Sequence, residues 1–271
     1  MPPLPIVRDL AVARWAELHM HGRLDALNGL EIQLAAHENR PSYLVTRISD
    51  SVLAEDQNAD HLYGRQVQPV VGTDGSERKG AIELNPKLLV DGVQPYAAVE
   101  TYFHEARHAF QDHIADHPEQ SESPEQADDF YKSKNGGYLQ PDEVKGFHYR
   151  SQPTEIDANH VAQTRTMGLY EDLGEPEGYL EYTAGPEYES QRSGFAVERV
   201  FQDEARSLVD RRYEAVQALR EQAAVGEFAG SGIDQAVQGR TPDQPLSQEE
   251  TGVSASDNES EDREQSYSHG Y

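Results

Sequence analysis

Residues 102–111 read YFHEARHAFQ, and this stretch contains the pattern H-E-x-x-H at positions 104–108. In an α-helix, residues four apart project from one face, so the imidazoles of His104 and His108 lie one turn apart. Two neutral imidazoles in that arrangement can share a divalent cation, most commonly zinc. Glu105 lies beside that face, where its carboxylate can take a proton from a water that the metal activates. The stretch therefore predicts a Zn²⁺ site with His104 and His108 as ligands and Glu105 as the general base.

The residues around this pattern separate into two faces on a helical wheel. The apolar residues fall together on one side, namely Val99, Tyr102, Phe103, Ala106, Phe110 and Ile114. His104, His108 and Asp112 fall on the other side. A surface helix that carried two histidines by accident would need no such division. We therefore predict a helix over residues 95–116, with Pro95 in its first turn, that turns one face to a core and the other to a metal.

Composition narrows the classes of partner and of metal site. The 271-residue chain carries a formal net charge of −26, so nucleic acids and anionic membrane surfaces are not expected partners. The chain has no cysteine, which excludes disulfides and every zinc site built on thiolates. Its metal ligands must therefore be His, Asp or Glu.

The location that the sequence predicts is the cytoplasm. Residues 1–8, MPPLPIVR, lack the basic start and apolar stretch of a secretory signal. No run of about 18 apolar residues is present, so no transmembrane segment is expected. Delivery by a route that needs no signal peptide stays open, and the oligomeric state is not indicated.

The pattern of apolar residues predicts an α+β fold that is mostly helical. We expect N-terminal helices in residues 1–38, a small sheet within 42–90, the metal helix at 95–116, and further helices at 153–172 and 190–224. These elements would form one domain over residues 1–225, followed by a disordered acidic tail at 226–271. The polar segment 115–147 is interpreted as a long loop, and residues 176–188 as irregular.

Strands are predicted at residues 42–48, 66–71 and 80–86. Pro69 makes the second of them typical of a sheet edge, because proline cannot donate to a ladder. The third lies just ahead of the metal helix, where a zinc peptidase keeps the edge strand that pairs with an extended substrate. It could equally be an ordinary strand that completes the sheet, so both interpretations stay open.

A zinc site also needs a third protein ligand, with water in the open position. Continuation of the pattern as H-E-x-x-H-x-x-G-x-x-H fails, because Gln111 and Ile114 occupy the glycine and histidine positions. His113 lies about 180° around the helix from His104 and is expected to pack on the core face. The better candidate is Glu155 in the helix that opens at Pro153.

Glu155 and Asn159 are four residues apart and share a helical face, so Asn159 could bond to one of the histidines. Asp157 lies about 200° away from Glu155 and is a poorer candidate. Asp157 or another carboxylate as the ligand, or no third ligand at all, remain alternatives. An acidic residue in the first turn of a helix is also favoured by the helix dipole alone.

The two segments together resemble the gluzincin branch of the zincin metallopeptidases. Residues 155–159, EIDAN, are similar to the E-x-x-A-N segment of anti-repressor peptidases from phages and mobile elements, and to the E-x-x-A-D segment of housekeeping membrane peptidases. The resemblance covers about residues 80–170. It implies that His104, His108 and Glu155 are ligands, that Glu105 is the general base, and that Asn159 is the orienting neighbour of Glu155.

The resemblance implies a zinc-dependent peptidase whose substrate is a protein or peptide. Gluzincins often stabilise the oxyanion with Tyr, His or Arg, and His148, Tyr149 and Arg150 are the nearest such residues to Glu155. Tyr149 could instead be a packed aromatic residue ahead of the helix. The alternative function is that of a non-catalytic interaction or effector protein with a structural metal site. An intact Glu105 favours the enzyme, because a structural site needs no general base.

Overall fold

The H-E-x-x-H pattern lies on a 22-residue helix, α4 (Pro95–Asp116), which packs against the sheet and three other helices of the computed structural model. The structure describes residues 8–55, 62–71, 77–140, 143–186, 188 and 200–224. Within them the helices are α1 (Val12–Glu17), α2 (Met20–His37), α3 (Asp50–Glu55), α4 (Pro95–Asp116), α5 (Pro124–Lys132), α6 (Gly146–Arg150), α7 (Pro153–Leu173), α8 (Pro176–Thr183) and α9 (Gln202–Ala224). The strands are β1 (Leu44–Arg47), β2 (Gly64–Val67), β3 (Val70–Val71), β4 (Glu77–Arg78) and β5 (Ala81–Leu84). Short 3₁₀ turns occupy Arg8–Leu10, Pro86–Leu88 and Pro118–Gln120, and an irregular, kinked turn occupies Ser133–Gly137.

The described residues are mostly helical and include a small three-stranded sheet, which confirms the α+β prediction. The two helices that matter most for the site begin where the sequence predicts. Pro95 and Pro153 occupy the first turns of α4 and α7, where a residue without an N–H costs the helix nothing. Gly174 ends α7 in the left-handed conformation, with φ of 75°.

Two segments that were predicted to be irregular contain helices. The expected loop at 115–147 includes α5, whose N-cap Ser123 accepts a hydrogen bond from the amide of Gln126 at 3.1 Å. Residues 176–188 include α8. The prediction of a helix at 190–224 is met by α9 from Gln202 onward, whereas residues 189–199 and the tail at 226–271 lie outside the described residues. Among the described residues, each helix is either too short or too polar to cross a bilayer.

The core forms on the apolar face of α4, as the helical wheel predicts. Val99, Tyr102, Phe103, Ala106 and Ile114 are fully buried, and Phe110 is partly buried. The first four pack against α1, α2, the sheet and α7, whose buried residues include Trp15, Leu27, Leu30, Ile82, Leu84 and Tyr170. Ile114 and Phe110 pack in a second cluster with Ala127 and Phe130 of α5. The most extensive contact between two described elements is that of α4 with α7. This contact sets the residues of α7 beside the histidine face of α4.

The order of strands in the three-stranded sheet is β1-β5-β2. β5 pairs parallel to β1, with Val45 opposite Ile82, and antiparallel to β2, with Gln66 opposite Ile82. The interpretation of residues 80–86 as the edge strand is therefore wrong, because β5 has a partner on each side. The edge character that Pro69 predicts is confirmed, since β2 lies at the edge and ends ahead of this residue.

The outer edge of β1 is closed by side chains of α2. The amide of Asn28 donates to the carbonyl of Val45 and accepts from its N–H, both at 2.8 Å, as a neighbouring strand would. Glu31 accepts from the N–H of Tyr43 at 2.9 Å. An exposed strand edge invites pairing with another chain, and these contacts remove that opportunity at β1.

A buried polar cluster joins α2 to α4 and centres on Glu31, which is fully buried. Its carboxylate pairs with both arms of the Arg40 guanidinium, at 2.7 and 3.0 Å, and accepts from the Tyr102 hydroxyl at 2.9 Å. Burial by itself would lower the pKa of Arg40, but the carboxylates of Glu31 and Glu38 raise it above its usual value. Arg40 is therefore a permanent counter-charge for the buried carboxylate.

We expect Glu31→Ala to lower the free energy of unfolding by about 3–5 kcal/mol, since it removes the carboxylate that binds both arms of the buried Arg40 guanidinium and accepts from Tyr102. Glu38 remains beside Arg40 with a single bond. Urea denaturation followed by circular dichroism would measure the change. Glu171→Ala, on the exposed side of α7, should change it by less than about 0.5 kcal/mol. Equal effects of the two substitutions would contradict the assignment of Glu31 as a buried ion-pair partner.

Candidate metal centre

The two histidines of the pattern meet on one face of α4. Their Nε2 atoms lie 3.1 Å apart, and their rings stand edge to face at an interplanar angle of 85°. Both side chains are mostly covered, with 20 % of His104 and 15 % of His108 exposed. The helical geometry that the sequence predicts therefore brings both imidazoles to one point.

Glu155, in the first turn of α7, supplies a carboxylate at that point. Its Oε2 lies 3.4 Å from His104 Nε2, and its Oε1 lies 3.3 Å from His108 Nε2. Only 3 % of the Glu155 side chain is exposed. Within the described ranges, these three residues form the group of ligand atoms that could hold a metal ion.

The charges at this point are strongly coupled. Burial by itself would raise the pKa of Glu155, but the neighbouring imidazoles of His108 and His104 hold it well below its usual range. Burial by itself would lower the pKa of His108, but the carboxylates of Glu155 and Glu105 outweigh it and raise this pKa to about 10. Glu105 is itself buried, so two covered carboxylates face one imidazole and require a positive charge between them.

The other ring nitrogen of His108 is fixed by Gln111. Nδ1 of His108 lies 2.8 Å from the Gln111 oxygen, while the Gln111 nitrogen donates to the Thr154 carbonyl and to Asp157, both at 2.8 Å. Because both of those partners can only accept, the amide oxygen must face His108, and Nδ1 carries the proton. A neutral His108 therefore directs the lone pair of Nε2 towards His104 and Glu155. The orienting bond that the sequence assigns to Asn159 is made, for His108, by Gln111.

Asp157 has a different role from that of a ligand, as its position on the helix predicts. It forms two bonds with the Arg107 guanidinium, at 2.6 and 2.9 Å, and also accepts from the Gln111 amide. Arg107 is buried and also lies over the ring of Phe110, with 4.4 Å between the guanidinium carbon and the ring centroid. This ion pair joins α7 to α4, and its carboxylate also holds the Gln111 amide in place.

Tyr138, a residue that the sequence pattern does not indicate, contacts the carboxylate of Glu155. The hydroxyl of Tyr138 donates to Glu155 Oε1 at 2.6 Å and lies 3.1 Å from the hydroxyl of Tyr149. Burial raises the pKa of Tyr138 well above its usual value, and the negative charge of Glu155 adds to this effect. Tyr138 follows a turn within the segment expected to be a loop, so no local pattern marks it. Gln111, by contrast, stands three residues after His108, and helical spacing alone could have indicated it.

The remaining predicted residues lie in three different places. His104, His108 and Glu155 together are called the histidine–glutamate group. Tyr149 lies near this group through its contact with Tyr138. His148 faces Glu204 of α9, with Nε2 and Oε1 3.2 Å apart, and Arg150 is exposed. His113 is not in the core, since it lies half-buried against His117 and Gln120.

The edge strand β2 lies along the same side of α4, next to Glu105. A Cβ atom on Gly64 would come within 2.6 Å of Thr101 Cγ2 and 3.1 Å of Glu105 Cγ, so only glycine allows this approach. Further along, the side chain of Gln68 donates to Asp112. Within the described residues, β2 has β5 as its one strand partner, and its Gly64 lies against Glu105 of α4.

Asp157→Ala should lower the free energy of unfolding by about 2–3 kcal/mol, because it leaves the buried guanidinium of Arg107 without its carboxylate. We place the value below that of a fully enclosed pair because 22 % of the Asp157 side chain is exposed. Chemical denaturation of the metal-free protein would measure it. Asp172→Ala, on the exposed end of α7, is the matched control and should fall within about 0.5 kcal/mol of the unsubstituted protein. A loss at Asp157 no larger than at Asp172 would contradict a structural role for the pair.

The group as a whole combines two imidazoles, a buried carboxylate from a second helix and a further carboxylate, Glu105, on the adjacent side. Such a donor set could bind a divalent cation through nitrogen and oxygen atoms. No family model matches this chain, and no match was found among curated proteins or among solved structures.

Proposed function

We propose that His104, His108 and Glu155 bind Zn²⁺ and that the chain is a zinc-dependent metallopeptidase of zincin-like fold. One observation carries the proposal. Ligand atoms about 2.0–2.1 Å from a tetrahedral zinc ion lie about 3.3 Å from one another. The three nitrogen and oxygen contacts in this group measure 3.1, 3.3 and 3.4 Å. The two distances to Glu155 end on different carboxylate oxygens, so the spacing sets three residues, each with one ligand atom to offer, around a point where zinc could bind. A fourth position would remain for water or substrate.

Glu105 favours hydrolysis over the other uses of such a site. Two histidines and one carboxylate also suit non-haem iron, so the donor set alone does not choose the reaction. A second carboxylate that is buried beside the ligands, without being one of them, is what a general base requires. When bound, the cation would act as a Lewis acid on the scissile carbonyl and lower the pKa of a water molecule.

The chain's own residues account for the proton transfers. Glu105 takes a proton from the attacking water and then delivers it to the amine that leaves when the peptide bond breaks. The low pKa of Glu155 keeps this carboxylate ionised and available as a ligand at neutral pH. Gln111 keeps the proton of a neutral His108 on Nδ1, so that Nε2 stays free to bind the cation.

The open edge of β2 supports a protein or peptide as the substrate. The amide of Asn85 donates to the carbonyl of Tyr63 at 2.8 Å, which marks these residues as a bonded pair of the antiparallel ladder. Because bonded and non-bonded pairs alternate, the backbone groups of Gly64 and Gln66 point away from β5. An extended peptide could pair with them and lie across the face that carries Glu105.

A non-catalytic protein with a structural metal site is the rival function. Structural zinc sites are usually closed by four protein ligands, whereas catalytic sites keep one position open. Three ligand residues with Glu105 and an open strand edge beside them favour the enzyme.

Glu105→Gln separates chemistry from binding. The substitution preserves the shape of the side chain but removes the proton acceptor, so turnover should fall by about 10²–10⁴-fold with zinc content unchanged. His104→Ala removes a ligand and should lose zinc and turnover together. The assay is cleavage of a casein-like unstructured protein, with zinc measured on the same samples.

Glu119→Gln is the control for this comparison, since 68 % of its side chain is exposed just beyond α4. It should match the unsubstituted protein in zinc content and turnover. Unchanged turnover by Glu105→Gln at full zinc occupancy would exclude Glu105 as the base. Zinc binding without cleavage of any unfolded protein would instead favour the structural rival.

The raised pKa of His108 predicts that zinc binding releases a proton. With a pKa of about 10, against about 6.5 for an ordinary histidine, His108 holds its proton at pH 7.5 in the metal-free protein. A cation can bind Nε2 only after that proton leaves, so about one proton should be released per zinc ion. Zinc affinity should therefore rise with pH and level off above about pH 10. Titration calorimetry in buffers of different ionisation enthalpy measures this number, and a value near zero at pH 7.5 would contradict the charge state described here.

A further inference from the structure

Tyr138 is the residue whose contact with the histidine–glutamate group has no counterpart in the sequence pattern. Its hydroxyl lies 2.6 Å from Glu155 Oε1, a shorter distance than either histidine keeps from the carboxylate. Hydrogen bonds from a hydroxyl to an ionised carboxylate are short and about twice as strong as neutral ones. Among Tyr138, His104 and His108, it is therefore Tyr138 that lies nearest to the Glu155 carboxylate.

The protons of the two neighbouring phenols can be assigned by counting. A phenol has one proton, and an ionised carboxylate can only accept, so the Tyr138 proton points to Glu155. The bond of 3.1 Å between the two phenols must then be donated by Tyr149. The order Tyr149, Tyr138, Glu155 is a chain of donors that ends on one carboxylate oxygen. Each bond in such a chain polarises and strengthens the next.

The backbone beside Tyr138 is anchored to the helix that carries Glu155. The side chain of Gln152, which is fully buried at the start of α7, accepts from the Leu139 N–H at 3.0 Å and donates to the Leu139 carbonyl at 3.2 Å. Gln152 precedes Glu155 by three residues. The phenol and the carboxylate are therefore held to the same helix end, which limits their relative movement.

The turn ahead of Tyr138 is held from the other side by α9. A Cβ on Gly137 would come within 3.0 Å of the Val209 side chain, and the Arg212 guanidinium donates to the Gly136 carbonyl at 3.0 Å. Gly136 has φ of 110°, which L side chains rarely adopt. The segment that presents Tyr138 is thus fixed at both ends before any ligand arrives.

We propose that Tyr138 is a positioning residue for the third ligand. It occupies Oε1 of Glu155 and so directs Oε2 alone to the cation, which keeps the remaining position open for water and substrate. The inference rests on the proposed metal site. It differs from a catalytic role for Tyr138, because the phenol acts through Glu155 and not on the reacting atoms.

The test is metal binding by the full chain, without reference to turnover. Tyr138→Phe keeps the ring and removes the donor, so the zinc dissociation constant, measured by competition with a chelator, should rise by about 10-fold or more. The absorption spectrum of the Co²⁺-substituted protein should also change in band position and intensity, since the second carboxylate oxygen becomes free to bind. The thermal midpoint of the metal-free variant serves as the check on folding.

Tyr131→Phe is the matched control, because this tyrosine lies on α5 with 46 % of its surface exposed. It should leave both the zinc affinity and the cobalt spectrum unchanged. Tyr149→Phe tests the proton assignment and covers the case in which Tyr138→Phe does not fold. It removes the donor to Tyr138 and should weaken zinc binding by about twofold or more, with less effect than Tyr138→Phe.

The outcomes separate this inference from the proposed function. If the unsubstituted chain binds zinc tightly and Tyr138→Phe matches it in affinity and in cobalt spectrum, the positioning role is overturned while the zinc site stands. If Tyr138→Phe does not fold, the same match by Tyr149→Phe overturns it. If the unsubstituted chain binds neither zinc nor cobalt, the proposed function and this inference both fail. A weakened affinity with an altered cobalt spectrum supports the positioning role, since a general loss of packing would not change the cobalt bands of the bound form.

Discussion

Buried negative charge on the two sides of helix α4 is the constraint on which the rest of the structure depends. Glu31 is enclosed on the core side and Glu155 on the histidine side, and neither carboxylate could be removed from water without a positive partner. The positive partner differs between the two carboxylates. Glu31 has the guanidinium of Arg40, which stays charged at any ordinary pH. Glu155 has imidazoles, whose positive charge is a proton that a cation can replace.

This difference is consistent with a structural role for the first cluster and with the metal binding that we propose for the second. The ion pair of Glu31 also engages Tyr102 and the backbone of Tyr43, so its carboxylate is fully used in joining α2 to α4. The contacts of Glu155 instead converge on the nitrogen atoms of two histidines, where a bound ion would interact with all three groups. In the proposed zinc site, a proton on His108 would offset the charge of Glu155 until a cation replaces it.

The sequence predicts those parts of the site that lie on single helices. The spacing of His104 and His108, and the prolines that open α4 and α7, are local features and appear where they are expected. Glu155 is predicted because its position on the helix can be compared with that of Asp157. Tyr138 could not be found in this way, since its place depends on Gln152 and on the packing of α9. The position of β5 between two partners was also hidden, because strand order is set by contacts between distant segments and not by the residues of one strand.

The close approach of β2 to α4 depends on the absence of a Cβ atom at position 64. With glycine at position 64, the strand approaches Thr101 and Glu105 more closely than any other residue would permit. Even the Cβ of alanine would lie 2.6 Å from Thr101 Cγ2, so either the Thr101 side chain or the strand would have to move. Glycine at position 64 therefore permits the close packing of β2 against α4. Its importance is one of clearance, so substitutions there would be tolerated according to size and hardly at all according to polarity.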